Sequence, residues 1–285
     1  MMLKLNRFVW KILEYLPDRL YLSLRFKRLT GYSMNWKKPV SFNQKLQWMK
    51  LYDRNPLYST CADKVQVRDF VASVIGTSYL IPVIGVYDKA EDIDYDKLPS
   101  QFVLKCNHGA KYNIICKDKA LFDKEKTTRL LNKWLKEKYY RKLREYHYKN
   151  IPPKIICEQY MENLATGQLE DYKVFTIAGE PYMIQVDLDR FGEHRRNIYD
   201  TNWTLLDVEI SFPKGPAVPR PVVLEEMLSC ARKLAAPFAE VRVDFYIING
   251  KLYFGEMTFF SGAGFSKYRP LSFEFEMGNK VILRR

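Results

Sequence analysis

Three observations predict an α+β fold for this sequence. Apolar runs of strand length, among them QFVLKC (101–106), NIIC (113–116), IICEQY (155–160), DYKVFTIAG (171–179) and PYMIQVDL (181–188), are interleaved with segments of helical character. Asn249-Gly250 divides two further apolar runs, VRVDFYII and KLYFGEMTF, which is a strong hairpin signal and implies antiparallel pairing. At 285 residues, 47% hydrophobic and 28% charged, the chain is globular and long enough for one large domain or two closely packed lobes. No Gly/Ser linker, low-complexity run or repeat separates such lobes.

The elements follow in order. Phe8, Val9, Trp10, Ile12, Leu13 and Leu16, with Lys4, Arg7, Lys11 and Arg19 between them, read as a basic amphipathic helix. Such a helix either packs on the domain or lies on an anionic membrane. Residues 1–54 hold twelve lysines and arginines against three acids, so the net charge of +13 is concentrated where an anionic partner would meet it. No nucleic-acid recognition motif accompanies that charge, and nucleic acid is not expected as a partner. Residues 41–53 and 62–75 read as helices, the second capped by Thr60 or Asp63. The strands at 101–106 and 113–116 flank a polar, glycine-containing loop at 107–112, the stretch 124–149 reads as a long solvated helix, and 222–236 as a further helix. The expected organisation is a basic helical region over 1–60 and a main domain over 61–285, divided into 61–100, 101–160 and 161–285.

The five cysteines are odd in number, far apart and lack CxxC spacing, which predicts reduced thiols rather than a zinc site or disulfide framework. Charges interrupt the N-terminal apolar stretch, so no signal-peptide core is expected, and no run reaches the ~20 apolar residues of a membrane span. A cytoplasmic protein is expected.

Chemistry first becomes visible in the last hairpin. Asp244 and Glu256 lie six residues either side of Gly250, so antiparallel pairing brings two carboxylates close together. Two such groups repel unless a cation or proton intervenes. Mg²⁺ takes carboxylate oxygens together with substrate phosphates, which makes the pair a candidate metal platform. From spacing alone, two solvent-facing acids on an edge hairpin fit equally well.

The segment VRVDFYIINGKLYFGEMTFFSGAG resembles the metal-binding motif of ATP-grasp ligases, with Arg242, Asp244, Glu256 and the turn at 261–264 in matching order. Thr258 stands where many of these enzymes carry a metal-binding Asn, so its hydroxyl would be a weaker third ligand. The resemblance continues upstream. In FVLKCNHGAKYNIIC it implies that Lys105, His108 and the Gly109 backbone meet ATP phosphates. In IICEQYM it implies that Glu158 and the backbone of Gln159, Tyr160 and Met161 hold adenine. In EDYKVFTIAGE, Asp171 would meet the ribose and Lys173 the phosphate or acyl group. HRRNIYD would supply Arg196 and Asn197 to the reacting centre. Asp63, Lys64 and Arg68 of CADKVQVRDF would line the entrance.

From residue 40 to 270 the chain resembles one branch, the TupA-like ATP-grasp proteins of capsule, O-antigen and teichuronopeptide loci, on SFNQKLQWMKLYDRNPL, CADKVQVRDFV, LPSQFVLKCNHG and LYFGEMTFFSGAGF. This implies an ATP-grasp fold, in which two α/β lobes with antiparallel sheets sandwich ATP behind an N-terminal helical region. It also implies ATP and Mg²⁺ as cofactors. The expected reaction passes the γ-phosphate to a carboxylate, such as a uronic acid of a sugar or glycan, and an amine then attacks the acylphosphate. Location at the inner face of the membrane would suit such a substrate. Three other readings remain at this point: a glycosyltransferase using Asp187-Leu188-Asp189 as a DxD motif, a non-catalytic scaffold, and a kinase that stops at phosphoryl transfer.

Overall fold

A computed structural model of the protein describes residues 13–163, 170–189 and 192–283. The predicted amphipathic helix begins before residue 13, so most of it lies outside the described residues. Helix α1 (Asp18–Thr30) ends where Gly31 turns left-handed at φ 89°. Helix α2 (Phe42–Tyr52) opens with a capping box, in which Ser41 accepts from the Gln44 backbone while the Gln44 side chain reaches back to the Ser41 N–H. The helix expected over 62–75 is found only as α4 (Val67–Val74), and a short helix α3 (Leu57–Ala62) precedes it. Asp63 is the reason, because its carboxylate accepts from Val65 N at 2.8 Å and turns the chain between them rather than capping a single helix.

A small sheet follows, built from β1 (Val83–Tyr87), β2 (Phe102–Cys106), β3 (Asn113–Cys116) and β4 (Ile155–Gln159) in the order β1-β4-β2-β3, with every pair antiparallel. The stretch expected as one helix over 124–149 is instead α5 (Lys124–Leu135), a single turn α6 (Tyr140–Leu143) that ends where Arg144 adopts a left-handed conformation, and a 3₁₀ turn. Phe102, Leu104, Cys106 and Cys157 form one face of this sheet and bury against Leu131 of α5. Strand alternation therefore turns Val103, Lys105, Ile156 and Glu158 to the other face.

The large sheet comprises β5 (Glu170–Ile177), β6 (Glu180–Leu188), β7 (Arg195–Tyr199), β9 (Glu240–Ile248) and β10 (Lys251–Thr258), in the antiparallel order β10-β9-β5-β6-β7. Short strands β8 (Glu209–Ile210) and β11 (Tyr268–Arg269) pair separately. One face of the large sheet, with Val174, Ile184, Val243 and Phe245, packs with Met227, Leu228, Ala231 and Leu234 of α7 (Leu224–Ala235) in the main core. Phe42, Leu46 and Met49 of α2 and Met277 of α8 (Leu271–Lys280) bury in the same core. Each such side chain contributes about 1.5–3 kcal/mol on burial, so the apolar stripe of α2 holds it to α8 and to the turn at 261–264 that follows β10. The free cysteines, Cys61, Cys106, Cys116, Cys157 and Cys230, are all buried. Among the described residues no helix is long and apolar enough to cross a membrane.

Candidate active site

The opposite face of the large sheet carries the polar residues, most of them buried. Across β9, β5 and β6 the register sets Asp244 opposite Lys173 and Lys173 opposite Gln185. On the β10 side the pairing starts as a two-residue hairpin, with Lys251 opposite Ile248 and Phe254 opposite Phe245. Continued without interruption, that register would place Gly255 opposite Asp244 and turn Glu256 to the apolar face. A bulge between Phe254 and Glu256 shifts the register by one residue, so Glu256 pairs with Asp244 and Thr258 with Arg242. Gly255 suits that bulge, since a Cβ there would stand 3.0 Å from the Asp244 carbonyl and 3.1 Å from the Tyr246 ring.

Arg242 is the hub of this group. It donates from Nε and Nη2 to the two oxygens of Asp244, each at 2.6 Å, and from Nη2 to Thr258 Oγ1 at 3.0 Å. Nη2 also lies 3.7 Å from Glu256 Oε1, and Thr258 donates to the same oxygen at 3.3 Å. The two carboxylates experience different surroundings. The Asp244 side chain is 4% exposed, and burial raises its carboxyl to about 6 in spite of Arg242 and Lys173. Glu256 is 42% exposed, and although burial works to raise it, Lys64, Arg242, Lys173 and Lys105 together hold it below the usual glutamate value. Two of those cations, Lys64 and Lys105, lie outside the large sheet, so both sides of the cleft act on Glu256.

Beside this hub, Lys173 contacts Asp171 and lies 3.6 Å from Asp187 Oδ2. Asp187 accepts from Arg196 Nε at 2.6 Å, lies 3.0 Å from His194 Nε2, and takes a 3.0 Å bond from Gln185. Burial pushes the Asp187 carboxyl up, but Arg196, Lys173 and His194 outweigh it and hold the group well below the usual range. Asp187 is thus neutralised by protein cations. Asp189, the other acid of the literal DxD, sits in a left-handed turn where it accepts from Glu193 N at 2.8 Å. The two acids are engaged separately and do not form a shared metal platform.

Arg196 and Asn197 are brought to opposite faces. Arg196 points to the polar face, where Asp187 and the Ile210 carbonyl (3.0 Å) fix it. Asn197 is buried on the far face, donating to Pro216 O at 2.6 Å and accepting from Gly215 N at 3.0 Å. The expected role of Asn197 at the reacting centre is therefore corrected, because its amide ties down the 215–216 loop.

On the small sheet, Lys105 meets Glu158 Oε2 at 2.5 Å, and Arg68 of α4 lies 3.6 Å from Glu158 Oε1. Glu158 thus lies between two cations, and its place at the end of β4 keeps it beside the strand expected to meet adenine. Lys64, between α3 and α4, donates to the Gly109 carbonyl at 2.7 Å. Burial pulls its ammonium below the usual lysine range, opposed by the nearby Glu256, Glu158 and Asp63. Asp63 and Asn107 anchor the loop: Asn107 donates to Asp63 at 2.9 Å and to Pro152 O at 3.0 Å, and accepts from Lys154 N at 2.7 Å. Gly109 is needed because a Cβ would fall 2.8 Å from the Tyr112 ring and 2.9 Å from the Tyr139 ring.

His108 does not serve as a phosphate donor here. Its ring is buried against Tyr112, with Nε2 3.1 Å from the Trp134 carbonyl, and burial lowers its proton affinity. At the end of β4, Gln159 N donates to Pro82 O at 3.0 Å, so that N–H is engaged within the protein. Tyr160 bonds Glu162 at 2.7 Å beneath Lys117, and the half-buried Met161 follows it out of the strand.

The cleft therefore gathers Lys64, Arg68, Lys105, Lys173 and Arg242 around Glu158, Asp171, Asp244 and Glu256. Five cations there stand against four carboxylates, an arrangement whose chemistry suits an anionic group and offers carboxylate oxygens to a hard cation. Among the described residues there is no cluster of three or more His, Cys, Asp or Glu side chains able to hold a metal by protein ligands alone. Lys64 and Arg68, expected only at the entrance, are full members of the site. The signal was present in their Asp-Lys-x₃-Arg spacing, but nothing in the sequence links that helix to Glu158.

A family model described as TupA-like ATPgrasp matches residues 44–282. No curated protein sequence matches the chain. Among solved structures, it is similar to D-alanine–D-alanine ligase from Helicobacter pylori, at 13% identity and TM-score 0.47, covering 85% of this chain and 69% of that one. It is also similar to L-amino acid ligase from Bacillus licheniformis, at 14% identity and TM-score 0.47, covering 78% and 49%. A third is D-alanine–D-alanine ligase from Bacillus anthracis complexed with ATP, at 15% identity and TM-score 0.42, covering 78% and 57%. The chain thus spans 57% of the length of the Bacillus anthracis enzyme.

Proposed function

The chain belongs to the TupA-like ATP-grasp family, and on that premise we propose that it is an ATP-dependent carboxylate–amine ligase. The observation that carries the reading is the convergence of Lys64, Lys105, Lys173 and Arg242, from both sides of one cleft, on the Glu256 carboxylate. A nucleotide triphosphate matches that charge, with Lys105 and Lys64 on the phosphates and the backbone after Gln159 beside the base. Asp171, close to Lys173, is the candidate for the ribose hydroxyls. Glu256 and Asp244, with the Thr258 hydroxyl beside them, are oxygen donors suited to magnesium, which would screen phosphate charge when bound.

In the reaction, an oxygen of the acyl substrate's carboxylate bonds to the γ-phosphorus, the bond to the β–γ bridging oxygen breaks, and ADP leaves. The amine then bonds to the acyl carbon, phosphate leaves, and the amine's proton is lost. Activation is required because a free carboxylate is a poor electrophile. Lys173 and Arg242, fixed by buried acids, hold the transferring group and the oxyanion that develops on it. Arg196 and Lys173 share Asp187, whose two oxygens hold the two cations side by side on the polar face.

The acyl substrate of this reading is a uronic acid of a surface polysaccharide or its precursor, and the nucleophile a small amine. The protein would work in the cytoplasm at the inner membrane face. Support comes from the basic N-terminal region and from α1, where Leu20 (48% exposed) and Leu24 (45%) share a face with the exposed Lys27. Salt-sensitive co-sedimentation with phosphatidylglycerol vesicles, absent on neutral vesicles, tests this placement. The activity is tested by incubating the protein with Mg-ATP, hydroxylamine and a panel of uronic acids. Hydroxamate formed in step with ADP supports an acylphosphate, whereas ADP release with hydroxyl acceptors and no hydroxamate would favour a kinase.

A further inference from the structure

Asn43, Gln47 and Lys50 stand at i, i+4 and i+7 on α2, so they share one face of the helix, and all three are 0% exposed. Their nitrogens meet the carbonyls that follow β10. Asn43 donates to Ser266 O at 2.8 Å, and Gln47 donates to Ala263 O at 2.8 Å and Gly264 O at 2.7 Å. Those carbonyls belong to a turn in which Phe260, Gly262, Ala263 and Gly264 are left-handed, with φ between 53° and 64°. Such a turn has no strand or helix ladder to satisfy it, so α2 supplies the donors. Gly264 is pressed onto the helix, since a Cβ there would stand 2.5 Å from Gln47 Nε2 and 3.1 Å from Leu46 Cβ.

Lys50 reaches beyond this turn. The three protons of its ammonium meet Ala263 O at 2.7 Å, Leu143 O at 3.0 Å and Gln47 Oε1 at 3.3 Å. Burial pulls the ammonium below the usual lysine range, with Glu145 opposing and Arg25 adding to the effect. A well-packed apolar side chain in place of a buried charge is often as stable or more so. What only an ammonium supplies here is three directed donors. Leu143 ends α6 and leads to Tyr148, whose ring packs edge-on against Tyr139 with centroids 5.0 Å apart. Tyr139 in turn stands against Gly109, where a Cβ would fall 2.9 Å from its ring. His147, between Leu143 and Tyr148, lies against Phe260 of the turn with centroids 5.3 Å apart.

We propose that Lys50 is a positioning residue of the cleft: its ammonium ties the turn that ends β10 to the segment that backs the 107–112 loop, so that α2 sets one wall of the site against the other. The turn follows directly on Glu256 and Thr258, and the loop carries Gly109, which Lys64 grips through its carbonyl. Loss of the ammonium therefore loosens two segments that are far apart in sequence and on opposite sides of the cleft. The inference deepens the nucleotide reading above and rests on it only where binding is measured.

The test follows amide hydrogen exchange of the full chain, without ligand, in the wild type, Lys50→Met and Gln47→Leu. In Lys50→Met the amides of 259–266 and of 107–112 are expected to exchange about tenfold faster, while those of β6 and α7 keep their rates. Gln47→Leu, which removes donors to the turn alone, should speed 259–266 and leave 107–112 unchanged. Calorimetric titration should show Mg-ATP bound about tenfold more weakly by Lys50→Met than by the wild type. Faster exchange in the turn alone, or uniformly along the chain, overturns the inference, as does unchanged Mg-ATP affinity in a variant loosened at both segments. Absence of Mg-ATP binding by the wild type, with the exchange pattern as expected, overturns the nucleotide reading and leaves the tie between the two walls standing. Should Lys50→Met fail to fold, Lys50→Gln, which keeps an amide donor, is measured in the same way. If neither folds, Lys50 is a folding residue and the inference is overturned.

Discussion

Glu256 and Asp244 face each other across β9 and β10 because a bulge at Gly255 advances the strand by one residue. The Asn249-Gly250 turn by itself would pair Asp244 with Gly255 and send Glu256 into the apolar face. The site thus depends on a local irregularity as much as on its charged residues. Gly255→Val is expected to weaken Mg-ATP binding at least tenfold, because its Cβ would meet the Asp244 carbonyl at 3.0 Å and its branches the Tyr246 ring. Calorimetric titration checks this, and unchanged affinity in a folded Gly255→Val protein would show that the bulge does not position Glu256.

Lys105 and Glu158 separate stability from binding. Lys105→Met leaves the largely buried Glu158 with Arg68 alone, 3.6 Å away, at an expected stability cost of about 1–3 kcal/mol. The double variant Lys105→Met/Glu158→Gln should recover much of that stability while remaining unable to bind Mg-ATP. Chemical denaturation beside nucleotide titration distinguishes the two effects. Recovery of both would make Lys105 a purely structural partner of Glu158.

Asp187 and Asp189 discriminate between readings of the DxD sequence. Asp187→Asn removes the partner of Arg196, His194 and Lys173 and should destabilise the fold by about 3 kcal/mol, with no selective effect on sugar nucleotides. Asp189→Ala should leave Mg-ATP binding unchanged. Loss of a metal-dependent sugar-nucleotide interaction in both variants would restore the DxD as a functional motif.

Glu240, on β9 one pair from Arg242, gives a pH signature. Burial raises its carboxyl to about 8 from the usual 4.5, against the opposing effects of Arg242 and the Phe260 backbone. Between those values the unfolded chain loses the proton while the folded chain keeps it, so stability falls as pH rises, by up to about 1.4 kcal/mol per pH unit. Glu240→Gln should therefore stabilise the protein more at pH 8 than at pH 5. Melting temperatures of both proteins across that window check the sign, and an equal difference at both ends would contradict it.

The legible parts of the molecule were those fixed by local chemistry. Asn249-Gly250 announced the hairpin, and the apolar runs at 101–106, 155–160 and 181–188 all lie in strands. Lys105, Lys173, Arg242, Asp244 and Glu256 converge as their order along the chain suggested. Features decided locally were not legible: Asp63 turns the chain where a helix was expected, so that α4 starts only at Val67, and Arg144 ends α6 within the stretch expected as one helix over 124–149. Arg196 and Asn197 could have been separated in advance, since neighbours on a strand point to opposite faces. His108 gave no such warning, because only tertiary packing reveals that Trp134 and Tyr112 enclose it.

The most direct test of the nucleotide site is a thermal-shift titration of the wild type and Glu256→Gln with Mg-ATP, set beside a panel of UDP- and GDP-sugars. A ligand at 100 times its dissociation constant stabilises by about 2.7 kcal/mol, a shift readily measured without knowing the acyl substrate. The expected result is stabilisation by Mg-ATP in the wild type that is lost or much reduced in Glu256→Gln, with no response to the sugar nucleotides. Stabilisation by a sugar nucleotide and none by Mg-ATP would contradict the ligase reading and make the protein a sugar-nucleotide enzyme on an ATP-grasp frame.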